Sequence, residues 1–252
     1  MRQLDDSMEH RKGSALWETV RTVFYAILIA LVVRTFAFEP FNIPSGSMKP
    51  TLLVGDYLFV SKYSYGYSRY SLPWGLPLFK GRIFGAEPVR GDVIVFKKPS
   101  DNETDYIKRL IGLPGDRIQV IGGILHINGE PVKREKIGEA KDADLFSTRT
   151  YTVYRETLPN GRQHLIWEAS DNDHLDNTAE YVVPEGHFFF MGDNRDNSRD
   201  SRVLYDVGYV PWENLVGRAE FLFFSHNDLG SWWEVWRWPW MIRFNRIFNG
   251  IN

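Results

Sequence analysis

One uninterrupted apolar run, Thr22–Val33 (TVFYAILIALVV), constrains this chain more than any other feature. Long helical periodicity appears nowhere else, so the run stands apart from whatever the remainder builds. Twelve residues are short for a bilayer, which takes roughly 20. If Arg34 snorkels toward headgroups, the segment reaches Phe38 and becomes long enough, with Trp17 and Phe36 near its two ends. A cleaved signal peptide and a buried core helix are the rival readings. The sequence after the run, TFAFEPF, lacks a small-x-small cleavage site, which favours an uncleaved anchor over residues 22–38. Arg2, Arg11, Lys12 and Arg21 precede the run, and no basic residue lies between Phe38 and Lys49. That asymmetry puts residues 1–21 in the cytoplasm and everything after Phe38 on the outer side.

The 252 residues are 43% hydrophobic and 25% charged, enough for a sizeable core, and the net charge of -2 provides no basic field for nucleic acid. With no cysteine, a thiol nucleophile, a Cys-ligated metal and a disulfide framework are excluded. Beyond the anchor the pattern is mainly β. Asp92–Phe96 is a short β-branched run after an Arg-Gly-Asp turn. Arg117–Ile121 and Ile124–Ile127 flank Gly122-Gly123, a tight-hairpin signal, and Asn128-Gly129 marks a further turn. Thr150–Leu158 and Arg162–Ala169 flank Asn160-Gly161, a second hairpin signal. Residues 129–183 are charged and polar, and read as an insertion carrying its own β-ribbon. It divides a catalytic β domain into 39–128 and 184–252.

Three segments are dense in unusual residues. In FNIPSGSMKPTLLVGDYLFV (Phe41–Val60), prolines and Gly46 make a rigid turn at which another backbone can approach closely. Serines on such loops are usually turn formers that bond their own backbone. In DYIKRLIGLPGD (Asp105–Asp116), Lys108 sits in a strand-like run. A lysine there ordinarily points to solvent; pointing inward, it loses basicity through desolvation and becomes a usable base. In FFFMGDNRDNSRDSR (Phe188–Arg202), Asp193, Asp196 and Asp200 raise the idea of a metal. The interleaved Arg195, Arg199 and Arg202 fit a salt-bridged loop better.

In that order, IPSGSMKPTL, GDYLFVSKYSYG, RGDVIVF, YIKRLIGLPGD and GDNRDNSRDSR closely resemble the type I (leader) signal peptidase family of bacteria. The resemblance covers Phe41–Arg109 with one unmatched gap and resumes at about Val183. It implies a Ser/Lys serine endopeptidase with a signal-peptidase-like β-sheet catalytic domain. On the matching positions, Ser47 is the nucleophile and Lys108 the general base. Ser198 orients the lysine by a hydrogen bond, and Ser45 joins the Ser47 N–H in the oxyanion hole. Asp200 and Arg202 pair to hold the Ser198 loop. Phe41, Ile43, Met48, Leu52, Val95, Tyr106 and Ile107 line two shallow pockets for small side chains.

The implied substrates are signal peptides of secretory preproteins, cut after Ala-x-Ala-like sites. The implied setting is the bacterial inner membrane, with the catalytic domain on its periplasmic face. No cofactor, no metal and no obligate protein partner are expected. Well-known members often carry two anchors, whereas one is found here.

Ser68–Pro88 and the tail WWEVWRWPWMIRF (Trp232–Phe244) lie outside the resemblance; either could be buried core, and the tail's rings, with Arg237 and Arg243, are expected at a membrane interface. SDNDHLDN (Ser170–Asn177) has the acidic density of a calcium loop, but it has Leu175 at the fifth position and no Gly at the sixth. A histidine-based hydrolase using Ser47 and His187 is the alternative chemistry. A dedicated processing peptidase and a non-catalytic membrane-tethered binding module are the alternative functions.

Overall fold

The computed structural model describes residues 2–72, 75–144, 147–227 and 233–251, with side chains from residue 16 onward apart from 143, 144 and 147. Trp74 and Trp232 therefore lie outside the described residues.

Helix α1 spans Arg2–Phe36. It runs unbroken through the polar segment, so Thr22 is a change of composition rather than a structural boundary. It also stops short of the expected Phe38. Ala37 makes the last helical bond, to the Val33 carbonyl at 2.8 Å, and strand β1 (Phe38–Asn42) begins at once. Pro40 keeps Glu39 extended, since the residue before a proline is pushed out of the helical region, so the helix could not have run through this point. The apolar part, Leu16–Phe36, has 21 residues and a mean hydropathy of 1.8, and is exposed throughout except at Thr35. At 1.5 Å per residue it is roughly 31 Å long, the length and composition of a membrane span.

The remainder is mainly β. A seven-stranded sheet is built from β1, β2 (Asp56–Ser61), β3 (Val93–Lys97), β4 (Asp105–Gly112), β12 (His187–Met191), β13 (Val210–Pro211) and β14 (Leu215–Ser225). Its order is β1-β2-β14-β3-β4-β12-β13, antiparallel throughout. Between β4 and β12 the chain builds a second sheet from β5 (Arg117–Ile121), β6 (Ile124–Ile127), β7 (Glu130–Pro131) and β11 (Tyr181–Val182). It also builds a three-stranded ribbon from β8 (Lys133–Asp144), β9 (Ser147–Thr157) and β10 (Gln163–Glu168). The β5–β6 turn sits where expected: Gly122 and Gly123 both adopt positive φ, 55° and 72°, as the tight hairpin requires.

Strand alternation separates two cores at β12. Phe188 and Phe190 face one, with Ile94, Phe96 and Leu110, whereas Phe189 and Met191 face the other, with Ile118, Val120 and Ile127. Leu58, Val60, Val93, Val95 and Val216 form a third cluster under β2, β3 and β14.

The C-terminal tail divides between structure and surface. Trp233, Trp236, Trp238 and Trp240 are 43–72% exposed. Arg243 is not one of the interfacial groups. Its guanidinium donates to the Val54 carbonyl at 3.0 Å and lies 3.7 Å from buried Asp56, which Arg246 contacts at 2.6 Å. Both arginines therefore staple the tail to the start of β2.

Phe190 stacks on Phe96 at 4.6 Å and is fully buried. Phe190→Ala should cost about 3–5 kcal/mol of stability, measured by chemical denaturation, because the cavity it leaves cannot collapse against a sheet.

Candidate active site

Ser47 lies in a short 3₁₀ turn, Gly46–Met48, between β1 and β2. Its hydroxyl accepts a hydrogen bond from Lys108 Nζ at 2.7 Å. The same amine donates to the Ile107 carbonyl at 3.0 Å. Ser47 is 7% exposed and Lys108 4%. The lysine cannot reach solvent as strand lysines usually do, because both faces of the β3–β4 pair are covered. Ile94, its partner across the ladder, packs into one core while the neighbouring Val93 and Val95 pack into another. Burial lowers the basicity of Lys108 to about 8; Asp200 and Asp193 oppose that shift without cancelling it. An amine of lowered basicity, in contact with a hydroxyl, can accept that hydroxyl's proton near neutral pH.

The turn is held from behind by the loop after β12. Asn194 N–H donates to the Ser47 carbonyl at 3.0 Å, and its side-chain amide donates to the Gly46 carbonyl at 3.1 Å. The close approach expected at Gly46 occurs at Gly192 instead. A Cβ on Gly46 would meet side chains rather than backbone, the flexible Lys49 at 3.3 Å and Asn197 Nδ2 at 3.7 Å. One on Gly192 would lie 2.5 Å from the Ser47 carbonyl and 2.2 Å from Ser198 Oγ. Glycine at 192 is thus what lets the two loops touch.

Three buried ion pairs fix the post-β12 loop. Arg109 forks onto Asp193 at 2.8 Å through two nitrogens, and Thr51 donates to the same carboxylate at 2.5 Å. Arg195 reaches Glu156 on β9 at 2.9 and 2.5 Å. Arg202 forks onto Asp200 at 2.9 Å. Burial works to raise all three carboxyls, yet the facing guanidinium together with neighbouring hydrogen bonds and charges outweighs it and holds each below the ordinary range. The loop is therefore salt-bridged, but two of its three pairs reach outward to β4 and β9 rather than closing within it. Arg199 is exposed and lies 4.0 Å from Asp206. A further pair, Lys49 with Asp142 at 2.7 Å, ties the β8–β9 ribbon to the nucleophile turn.

The other expected residues fall into three groups. Ser45 is exposed, its hydroxyl 3.4 Å from that of Ser47. Phe41, Ile43, Val95, Tyr106 and Ile107 line a groove of about 490 Å³ that also holds Ser45, Ser47 and Lys108. Met48 and Leu52 do not line it. Both are fully buried with Leu58 and Val60, because the 3₁₀ turn sends the residue after Ser47 inward. Nor does Ser198 bond Lys108. Its buried hydroxyl has no hydrogen-bond partner among the described residues and turns toward Gly192 and the Asp200 carboxylate. His187 stands at the β12–β13 end and meets the Glu185 carbonyl at 2.9 Å, apart from the groove.

Gly192, Asn194, Arg109, Asp193, Thr51 and Glu156 went unassigned in the sequence. Only the interleaved Asp/Arg pattern pointed toward any of them.

The family described as "Signal peptidase, peptidase S26" matches residues 16–224. Signal peptidase I of Rickettsia typhi is 45% identical over 96% of this chain and 98% of its own length. Its counterpart in Rickettsia akari is 46% identical over 99% and 98%. A crystal structure of a signal peptidase I from Enterococcus faecalis is 27% identical over 53% of this chain and 97% of that one, with a TM-score of 0.30. A match of this extent to the family, with near-full-length relatives at this identity, means that the chain belongs to the type I signal peptidases, serine peptidases of the S26 family.

Proposed function

We propose that this protein is a membrane-bound endopeptidase that removes N-terminal signal peptides from exported preproteins, with Ser47 as nucleophile and Lys108 as general base. The observation that carries the reading is the buried 2.7 Å contact between Lys108 Nζ and Ser47 Oγ. In its neutral form the amine takes the Ser47 proton as Oγ attacks the scissile carbonyl. The Ser45 hydroxyl and the Ser47 N–H stabilise the oxyanion. The Lys108 ammonium then protonates the departing amine and, neutral again, takes a proton from the water that hydrolyses the acyl-enzyme.

The groove favours an extended peptide. β1 is an edge strand, and β12 pairs with β4 only from Arg109 onward, leaving Asp105–Lys108 with a neighbour on one side. Both free edges wall the groove, so a peptide can add as a strand between them. Alternate side chains of such a strand face the same way, matching an Ala-x-Ala-like site whose small residues lie two apart. On this reading Phe41, Ile43, Tyr106 and Ile107 supply the apolar walls that meet those small residues.

Residues 39–128 and 184–252 act as the catalytic body, and 129–183 as an inserted subdomain. The four-stranded sheet joins them, since β5 and β6 come from the first and β7 and β11 from the second. Leu16–Phe36 crosses the bilayer once, with the N-terminus in the cytoplasm and the body on the periplasmic face. The exposed tryptophans of the tail then rest at the lipid interface.

In a preprotein cleavage assay with the full chain in detergent, Ser47→Ala and Lys108→Ala should abolish turnover. Ser45→Ala should lower kcat by about 10²–10³, the effect of losing one oxyanion donor. Substantial cleavage by Lys108→Ala would show that another group is the base.

The neutral amine is lost as pH falls through about 8. kcat/KM should therefore rise with pH along a single-proton limb with its midpoint near that value. Replacing buried His164 or half-buried His187 singly should leave the limb in place; its disappearance in either variant would move the base assignment to that histidine.

A further inference from the structure

Away from the groove, three carboxylates converge where the insertion meets the post-β12 loop. Glu168 ends β10, Asp176 closes the loop that follows it, and Asp196 lies in the 3₁₀ turn Arg195–Asn197. One oxygen from each falls within 4.8 Å of the others. Glu168 and Asp176 are 3% and 1% exposed.

Each carboxylate keeps one buried oxygen without a hydrogen-bond partner among the described residues: Glu168 Oε2, Asp176 Oδ1 and Asp196 Oδ1. The second oxygens of the two aspartates are in use. Asp176 Oδ2 accepts the Asp173 N–H at 2.5 Å, and Asp196 Oδ2 accepts those of Ala169 and Ser170 at 2.6 and 3.0 Å.

The terminal nitrogens of the nearby arginines are mostly spent on other carboxylates, although the buried Nε of Arg195 makes no hydrogen bond among the described residues. Arg195 forks onto Glu156, Arg202 onto Asp200, and Arg134 bonds Asp171 at 2.9 Å while standing 4.0 Å from Glu168 Oε1. Unsatisfied buried carboxylate oxygens are costly, and three together repel one another unless a positive charge sits between them.

We propose that Glu168, Asp176 and Asp196 form a divalent-cation site for Ca²⁺ that ties the insertion to the loop bearing Ser198. An all-oxygen set without histidine or cysteine selects a hard cation. Three protein carboxylates from separate, irregular segments suit the larger and more variable coordination shell of Ca²⁺ better than the strict octahedron of Mg²⁺, which keeps most of its waters. Backbone carbonyls and water complete the coordination. The site departs from the calcium-loop pattern because its ligands come from three separate segments, not from the spacing within Ser170–Asn177. Its rival is a shared proton: burial, aided by Asp196 and Asp176 and partly offset by Arg195, pushes the Glu168 carboxyl up to about 9.

Isothermal titration of the chelator-treated full chain in detergent, with CaCl₂ and MgCl₂ in separate runs, distinguishes the two. The expected result is saturable 1:1 Ca²⁺ binding with Kd between about 10⁻⁵ and 10⁻³ M, and a Tm that rises with Ca²⁺. Glu168→Gln and Asp196→Asn should each weaken binding at least tenfold and remove the Tm rise. Circular dichroism checks that both variants fold; should the buried Glu168→Gln fail to, Asp196→Asn, at a partly exposed position, gives the same readout. No saturable binding up to about 10 mM of either ion would leave the shared proton as the occupant and overturn the proposal. Binding unaffected by both substitutions would overturn it as well, and tighter binding of Mg²⁺ than of Ca²⁺ would overturn the choice of ion.

Discussion

Holding a lysine amine away from water beside a serine hydroxyl is costly, and the architecture around the groove is organised by that cost. An unpaired ammonium loses several kcal/mol of hydration on burial, so the group responds by giving up basicity. The walls that keep Lys108 dry come from distant parts of the chain. They are the β3–β4 ladder, the turn carrying Ser47, and the loop after β12. None of these makes the site alone. Asp193 and Asp200 lie close enough to favour the charged amine, so the lowered basicity also depends on those carboxylates being spent on Arg109 and Arg202.

That arrangement gives the buried ion pairs their meaning. As contributions to net stability such pairs are near break-even, but removing one partner strands a charge and costs about 3–5 kcal/mol. Their use here is positional. Arg109 belongs to the strand that carries Lys108, and by gripping Asp193 it sets the post-β12 loop against the Ser47 turn. Arg195 carries the same loop to Glu156 on the ribbon, so the insertion braces the catalytic body from outside the groove. Gly192 completes the contact, since any side chain there would push the Ser47 carbonyl away.

Much of this was legible in the sequence where the determinant is local. The Gly122-Gly123 hairpin, the strand at Asp92–Phe96 and the apolar helix each follow from a few adjacent residues. That Lys108 and Ser47 belong together was suggested by contiguous motifs, and the two side chains are in contact. Errors arose where the determinant is a partner distant in sequence. Met48 and Leu52 were assigned to the groove by motif, yet a 3₁₀ turn directs them into the core. Ser198 was assigned to the lysine, but its hydroxyl turns toward Asp200. The arginines of the post-β12 loop looked self-paired, while two of the three ion pairs fixing that loop reach β4 and β9. Glu168, Asp176 and Asp196 share no spacing pattern, so only folding brings them together.

The central claim is that Lys108 is neutral enough at working pH to act as a base. The most direct measurement is its own titration, followed by NMR of isotopically labelled lysine side chains in the full-length protein in detergent, with Lys108→Ala identifying the resonance. The account predicts a midpoint near 8, well below the ordinary value of about 10.4. A midpoint at the ordinary value would contradict it, because the amine would then be charged at neutral pH and Ser47 would need a different base.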